Sequence, residues 1–301
     1  MTLENKFIKK FEKNFKANIK LSNYSWFNLG GSAEYFYKAR DKDQLVEFLK
    51  EAKKNKLKTT ILGAGSNILF RDKGVKGVVI KLGNNFSYTK LLEKDILVAG
   101  AATLDRKVAS FAKTSSLGNL EFLSCIPGSI GGAIIMNSGC YENDISRVLL
   151  SIRAIDKNNL SEIEIKKEDI KFFYRGTNLS DDLIIISAKF QGSIKKKEEI
   201  EKKQSDFNKR KKLSQPSQIK TCGSTFKNIN KDKKAWMLIK QSGCENYREG
   251  DAVISQKHCN FFVNNGNAKS SDIEKLIKKV KNKVLEKTGI NLELEIKIIG
   301  D

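Results

Sequence analysis

Two glycine-rich stretches, ILGAGSN at 61–67 and IPGSIGGAIIMNSG at 126–139, constrain this chain more than any other feature. Glycine lets backbone N–H groups approach and turn around an anion that a side chain would hold away. Two such loops, about sixty residues apart, point to one extended phosphate-bearing ligand gripped from both sides, as a dinucleotide-like cofactor would be. GAGSN departs from G-x-G-x-x-G because Ile68 stands at the third glycine position, and no Lys-Ser/Thr pair completes a P-loop. A Rossmann dehydrogenase or a nucleoside triphosphatase is therefore disfavoured. Taken alone, GAGSN is also compatible with an ordinary turn. In the second stretch, Pro127 at a helix start and Gly131-Gly132 would leave N–H groups exposed toward an anion. Close packing of that glycine pair is the alternative.

The 301 residues, 40% hydrophobic, are enough for a sizeable core and for two or three domains. No run of about 18 apolar residues predicts a membrane span, and the start, MTLENKFIKKFEKNFK, places charges where a signal peptide needs apolar residues. A cytoplasmic protein is expected. Five cysteines, none in a CxxC pair, argue for free thiols over a disulfide framework or zinc knuckle. His258 is the only histidine, which removes a histidine-rich metal site and a Ser-His-Asp triad elsewhere in the chain; no metal is expected. The formal charge of +21 raises the question of nucleic acid, but only eight of the 56 basic residues are arginine. Arginine supplies the bidentate contacts that phosphate and base recognition favours, so no nucleic-acid partner is expected and an anionic small molecule fits the charge equally well.

Along the chain, a polar N-terminal arm precedes DKDQLVEFLKEAKKN (41–55), where Leu45, Phe48, Leu49 and Ala52 have helical spacing. TTILGAGSNILF reads as strand, glycine turn and strand; VKGVVIKL (75–82) and DILVAGAA (95–102) add strands. Residues 104–116 predict a helix with Thr103 as N-cap. Strands are expected at 146–156 and 182–190. The charged run 194–213 reads as a solvated helix linking two domains. Beyond it come a helix near 233–242, strands at 251–255 and 259–264, and a helix over 270–289 with a Ser271–Glu274 capping box and a closing Gly289. A last strand, NLELEIKIIG, ends the chain. The class is mixed α and β in several small sheets.

Three further segments could carry chemistry. FFYRGTNL (172–179) sets Tyr174 beside Arg175, a guanidinium able to clamp a carboxylate if it is not a strand-edge ion pair. CGSTFKN (222–228) holds Ser224 in a glycine turn with Lys227 and Asn228 just beyond. Nothing near it supplies the base that a serine nucleophile needs, so proton donation is the better chemical role, with a turn-forming serine as the alternative. Glu293 and Glu295 alternate with apolar residues in the last strand and share one face. Facing solvent they are ordinary; turned into a cleft, one would donate a proton or a hydrogen bond.

In this order the motifs resemble the UDP-N-acetylenolpyruvoylglucosamine reductase family. The resemblance runs from Leu21 to Gly300 through FNLGGSAEY, ILGAGSNILFRDKGVKGVVI, NLEFLSCIPGSIGGAIIMNSGCY, FYRGT, QP, CGSTFKN, SQKHCNFFVN and LELEIKIIG. It implies an α/β (α+β) protein of three small domains: a flavin-binding fold of the p-cresol methylhydroxylase and vanillyl-alcohol oxidase type at 1–82 and 83–193, and a substrate domain at 194–301 whose final strand, near 292–300, returns toward the flavin. It further implies an FAD-dependent UDP-N-acetylmuramate dehydrogenase that uses NADPH to reduce UDP-N-acetylglucosamine enolpyruvate in peptidoglycan precursor synthesis. FAD contacts would come from Gly63, Ala64, Gly65, Ser66, Asn67 and Ile68, and from Pro127, Gly128, Ser129, Gly131, Gly132 and Ala133. Ser224 would protonate the substrate carbon, while Arg175 and Glu295 would stabilise its transient negative charge. Tyr174, Lys227, Asn228 and His258 would line the substrate pocket, and a monomer is expected. The chain departs from the family pattern at Asn28, where many relatives have arginine, and at Lys297, where arginine is common. It has no room for the substrate-closing tyrosine loop of the longer subtype. Another flavin oxidase of this fold, and a lysine-rich nucleic-acid binder, are the rival readings.

Overall fold

Residues 5–230 and 232–301 are described by a computed structural model, and they divide into two units, each assembled from separate stretches of chain. The first comprises the described residues up to Lys16, Phe36–Ala64 and Val78–Lys211; the second comprises Ala17–Tyr35, Gly65–Gly77 and Lys212–Asp301. The first four residues of the N-terminal arm lie outside the described residues. The rest of that arm is less polar in role than its composition implies, because α1 (Asn5–Phe11) buries Phe7 and Phe11.

In the first unit those rings meet α2 (Lys42–Lys54), which forms where the apolar spacing predicts it. The Asp41 carboxylate accepts the Gln44 N–H at 3.0 Å and caps the helix. Leu45, Phe48, Leu49 and Ala52 face inward, and Tyr37 stacks on Phe48 with centroids 3.7 Å apart. Full burial of each such side chain is worth about 1.5–3 kcal/mol. Strand Thr59–Leu62 pairs in parallel with Val75–Leu82, setting Leu62 opposite Lys81. A five-stranded antiparallel sheet runs Glu162–Lys166, Leu149–Asp156, Leu183–Gln191, Ile96–Gly100, Thr89–Leu91. Its Leu97, Ala99 and Phe190 pack with Val108, Ala109 and Ala112 of α3 (Asp105–Thr114) and with Ile130, Ala133 and Ile134 of α4 (Ile130–Ile135). Thr103 does not cap α3 as expected. Its hydroxyl donates to the Tyr88 carbonyl at 2.9 Å, and the N-cap position falls to Leu104. The charged run is α5 (Lys197–Ser214), with only Ile200 and Phe207 buried.

In the second unit, α6 (Ala235–Gln241) and α7 (Ser270–Thr288) enclose a core with Phe27, Cys222, Phe226, Phe262 and Leu292. Strands Arg248–Glu249, Ala252–Ile254 and Phe262–Asn264 form an antiparallel sheet. α7 ends at Gly289 in the left-handed region, φ 70°, as expected. Its capping acid is not Glu274 but Asp272, whose carboxylate accepts the Lys269 N–H at 2.9 Å. Asp72 adds two further caps by accepting the N–H groups of Ser270 and Ser271 at 2.8 and 2.9 Å. Glu274 pairs instead with Arg71 at 3.1 Å. The closing strand is also shorter than predicted. Only Lys297–Ile299 is regular, parallel to Ile68–Phe70, and residues 291–296 contribute a single bridge, Phe226 to Leu294.

Candidate functional site

Within the first unit the two glycine stretches do meet, at Ser129. A methyl group built on Gly63 would lie 3.0 Å from Ser129 Oγ, and one on Gly132 would lie 3.9 Å from the same atom. Side chains at either glycine would therefore fill the space around that hydroxyl. Gly63 is also held by Lys81, whose Nζ donates to the Gly63 carbonyl at 2.6 Å. Burial, with repulsion from Lys38, pulls the Lys81 pKa below the ordinary lysine value.

The donor pattern of the second loop differs from the expectation. Pro127 stands three residues ahead of α4 rather than at its start. An antiparallel bridge between Leu104 and Ser129 directs the Ile130 N–H to the Thr103 carbonyl at 3.0 Å, and the Gly131 N–H reaches the Ala101 carbonyl at 2.9 Å. Gly131 thus serves close packing, since a Cβ there would meet Ala101 Cβ at 3.3 Å. Gly132 alone of the pair is exposed, and its N–H is one of the four that a helix leaves outside its own ladder. Beneath Gly128 lies Asp105, fully buried, with neither carboxyl oxygen partnered among the described residues. Its Oδ2 is 2.6 Å from where a Gly128 Cβ would stand, and burial holds its pKa well above the usual carboxylate range.

The far end of α4 positions Arg175. Asn137, just past the helix, donates from its amide to the Phe173 carbonyl at 3.1 Å. Phe172–Phe173 and Gly176–Thr177 pair as a short hairpin, and Arg175 occupies its turn at φ 60° rather than a strand edge. Its guanidinium donates to the Gly139 carbonyl at 3.0 Å and lies 5.0 Å from the centroid of the half-exposed Tyr174 ring. A non-glycine residue held at positive φ is uncommon and concentrates at functional sites.

The second unit holds Ser224, Lys227, Asn228, His258 and Glu295. Ser224 follows Gly223, which sits at φ 81°, and bridges to Phe261. Asn260, buried, clamps the next residues: its Oδ1 accepts the Phe226 N–H at 2.9 Å, its amide donates to the Phe226 carbonyl at 2.8 Å, and its own carbonyl accepts the Thr225 N–H. The Glu295 N–H donates to the Thr225 carbonyl at 2.9 Å, and the Asn67 amide donates to the Glu295 carbonyl at 2.9 Å. Ser224 and Glu295 are thus carried on neighbouring segments, with Asn67 bonded to the second of them. Glu293 lies within 3.7 Å of Lys227 and is exposed, whereas Glu295 is half-buried. Asn228 accepts the first N–H of α6 at 3.0 Å. His258 accepts the Asn260 N–H at Nδ1 and packs edge-on to Phe261, and burial lowers its pKa, leaving it neutral near pH 7. Gly65, at φ 71°, is required for packing, since a Cβ there would collide with the Tyr24 carbonyl oxygen at 1.8 Å.

Lys81, Asp105 and Asn260 escaped sequence reasoning. A lysine near the end of the apolar strand VKGVVIKL was the one available signal. The other two act through segments distant in sequence. Among the described residues no cluster of three or more His, Cys, Asp or Glu is placed to hold a metal, and no helix is long and apolar enough to cross a membrane.

Residues 33–159 match the model of an FAD binding domain, and residues 215–299 match the C-terminal domain of UDP-N-acetylenolpyruvoylglucosamine reductase. The reductase of that name from Pelagibacter ubique is 48% identical over 288 residues, covering 95% of this chain and 94% of the relative. The chain belongs to the UDP-N-acetylenolpyruvoylglucosamine reductase family. The Orientia tsutsugamushi reductase is 42% identical over 95% of the chain and 94% of its own length. The crystal structure of the Thermus caldophilus reductase superimposes with a TM-score of 0.81 at 28% identity, covering 95% of this chain and 98% of that one. These residues fit an FAD pyrophosphate. The Ser129 hydroxyl lies close to two positions without side chains, the exposed Gly132 carries a first-turn N–H outside the helix ladder, and Lys81 fixes the Gly63 carbonyl.

Proposed function

We propose that this chain reduces UDP-N-acetylglucosamine enolpyruvate to UDP-N-acetylmuramate with NADPH and bound FAD, in peptidoglycan precursor synthesis. The observation that carries the reading is the relationship over 95% of the chain at 48% identity, which includes the C-terminal domain as well as the FAD binding domain. Another flavin oxidase of the same fold would need only the latter.

Bound FAD supplies two-electron chemistry, carrying hydride from NADPH to the enolpyruvyl double bond. Gly63, Ala64, Gly65, Ser66, Asn67 and Ile68, with Pro127, Gly128, Ser129, Gly131, Gly132 and Ala133, would hold it, and the Ser129 hydroxyl and the first-turn N–H of Gly132 would serve its phosphates. Hydride addition leaves negative charge spread onto the substrate carboxylate. The Arg175 guanidinium, aimed by the Gly139 carbonyl and the hairpin turn, and the half-buried Glu295 stabilise that charge. Loss of one preorganised donor of this kind costs about 10²–10³ in rate. Ser224 gives its hydroxyl proton to the carbon bearing the carboxylate. Tyr174, Lys227, Asn228 and His258 bind the sugar nucleotide, His258 as a neutral ring. We further propose that residues 1–82 and 83–193 are the two flavin-binding subdomains and 194–301 the substrate domain, and that the enzyme works as a cytoplasmic monomer without nucleic acid.

The test is anaerobic and spectral. NADPH should bleach the visible flavin absorbance of purified protein, and UDP-N-acetylglucosamine enolpyruvate alone should restore it. Flavin that stays reduced in the presence of that substrate refutes the reading.

A further inference from the structure

Lys81 is placed unlike the surface lysines of this chain. The strand Val75–Leu82 is buried through Gly77–Ile80, and Lys81 follows near its carboxyl end, partly buried and opposite Leu62 of the parallel strand Thr59–Leu62. Other lysines meet carboxylates, as Lys42 meets Glu162 and Lys189 meets Glu164, each at 2.9 Å. Among the described residues no carboxylate stands within ion-pair distance of Lys81. Its hydrogen-bond acceptor there is the Gly63 carbonyl, 2.6 Å away, and the charge acting on it is a second cation, Lys38. A cation withdrawn from water in this way costs free energy unless an anion joins it.

The bond to Gly63 fixes a whole peptide group. No described peptide bond is cis, and a trans peptide points its C=O and its N–H in opposite directions. With the Gly63 oxygen turned toward Lys81, the N–H of the next residue, Ala64, is turned away from it. That N–H finds no partner among the described residues, and Ala64 is partly exposed. The space that a Gly63 side chain would take lies 3.0 Å from the Ser129 hydroxyl. One end of the peptide therefore carries a cation, and the other is an open donor at the meeting point of the two glycine stretches.

We propose that Lys81 is a positioning residue for FAD: its ammonium holds the oxygen end of the Gly63–Ala64 peptide, so that the N–H end is presented to the cofactor's pyrophosphate. The Lys81 charge adds to the attraction, because the peptide dipole it aligns is directed at the anion. This role rests on the reading that places FAD against Gly63. It differs from the role of a lysine kept for the fold. An unneutralised, partly buried cation works against the apoprotein and in favour of the holoprotein, whereas a structural lysine would stabilise both.

The experiment compares wild type, K81M, K81R and G63V, each stripped of flavin and titrated with FAD by the change in flavin fluorescence. K81M apoprotein should melt at no lower a temperature than wild type, yet bind FAD about 10–100-fold more weakly, the worth of a hydrogen bond to a charged group. K81R should restore most of that affinity. Added potassium chloride should weaken FAD binding more steeply in wild type than in K81M, since salt screens the charge that K81M lacks. The proposal is overturned by K81M affinity within about twofold of wild type, by K81R no better than K81M, by equal salt dependence, or by a K81M apoprotein that melts lower. G63V tests the placement of the cofactor separately, because its side chain enters the space beside Ser129 and should abolish FAD binding in an apoprotein that circular dichroism shows to be folded. If G63V binds FAD like wild type, the cofactor does not lie against Gly63 and the proposal falls with that reading. If G63V loses FAD while K81M keeps it, the reading stands and the role of Lys81 alone is overturned.

Discussion

Ser224 opens a segment whose backbone is secured by Asn260, so its hydroxyl can be removed without loosening the chain around it. In S224A, reduction of the flavin by NADPH should stay within about twofold of wild type. Reoxidation by the enolpyruvyl substrate should slow by about 10²–10⁴, the usual worth of a positioned general acid. Stopped-flow traces in which both halves slow equally would remove Ser224 from the proton-donor role. Asp105 makes the opposite case, a charged residue type made neutral by its surroundings. Burial raises its pKa in the folded protein, so the fold retains a proton that the unfolded chain releases as pH rises past 3.8. Stability associated with this group is complete below that pH and is lost above it. D105N removes the titration, and its stability should fall less steeply with rising pH than wild type, by up to about 1.4 kcal/mol per pH unit. Parallel denaturation profiles from pH 4.5 to 8, on apoprotein, would contradict a neutral Asp105. Neither residue's environment is readable locally: Asp105 looks like any acidic first-turn residue, and only the approach of Gly128 shows that water is excluded.

Helices α2 and α7 were legible because their signals are local: apolar spacing at Leu45, Phe48, Leu49 and Ala52, and a glycine placed for a left-handed stop. Their partners were not. Asp72 caps α7 from about 200 residues away, which displaces the role that a local Ser-x-x-Glu pattern assigned to Glu274. The same competition explains Thr103, whose hydroxyl is taken by the Tyr88 carbonyl, and the closing strand, which bends where Phe226 and Leu294 meet. Ser129 joins the two glycine stretches, but of the Gly131-Gly132 pair expected to face an anion, Gly131 gives its N–H to the Ala101 carbonyl. At this scale Asn260 is the most exacting test. N260A leaves a buried N–H and carbonyl of Phe226 without their partner and should cost about 2–4 kcal/mol of stability, taking about 1–3 kcal/mol for each unsatisfied group with partial relaxation. Urea denaturation checks this, and a change under 0.5 kcal/mol would show that Asn260 does not secure the serine segment.

The whole molecule is where sequence alone was least informative. Two units built from interleaved stretches have no local signature, whereas the ordered set of motifs identified the family because it spans nearly the full chain. The +21 charge is spread over lysines, many of them in surface ion pairs such as Lys10 with Glu47 and Lys279 with Glu249. It is compatible with attraction of two polyanionic reactants, NADPH and a UDP-sugar. The most direct measurement couples their fates: NADPH consumed and nucleotide-sugar product are quantified together in one reaction with FAD-loaded protein. One NADPH should be oxidised for each molecule of UDP-N-acetylglucosamine enolpyruvate, giving a product two hydrogens heavier than it. NADPH consumption without that product, or at a rate indifferent to the enolpyruvyl sugar, would contradict the reductase reading.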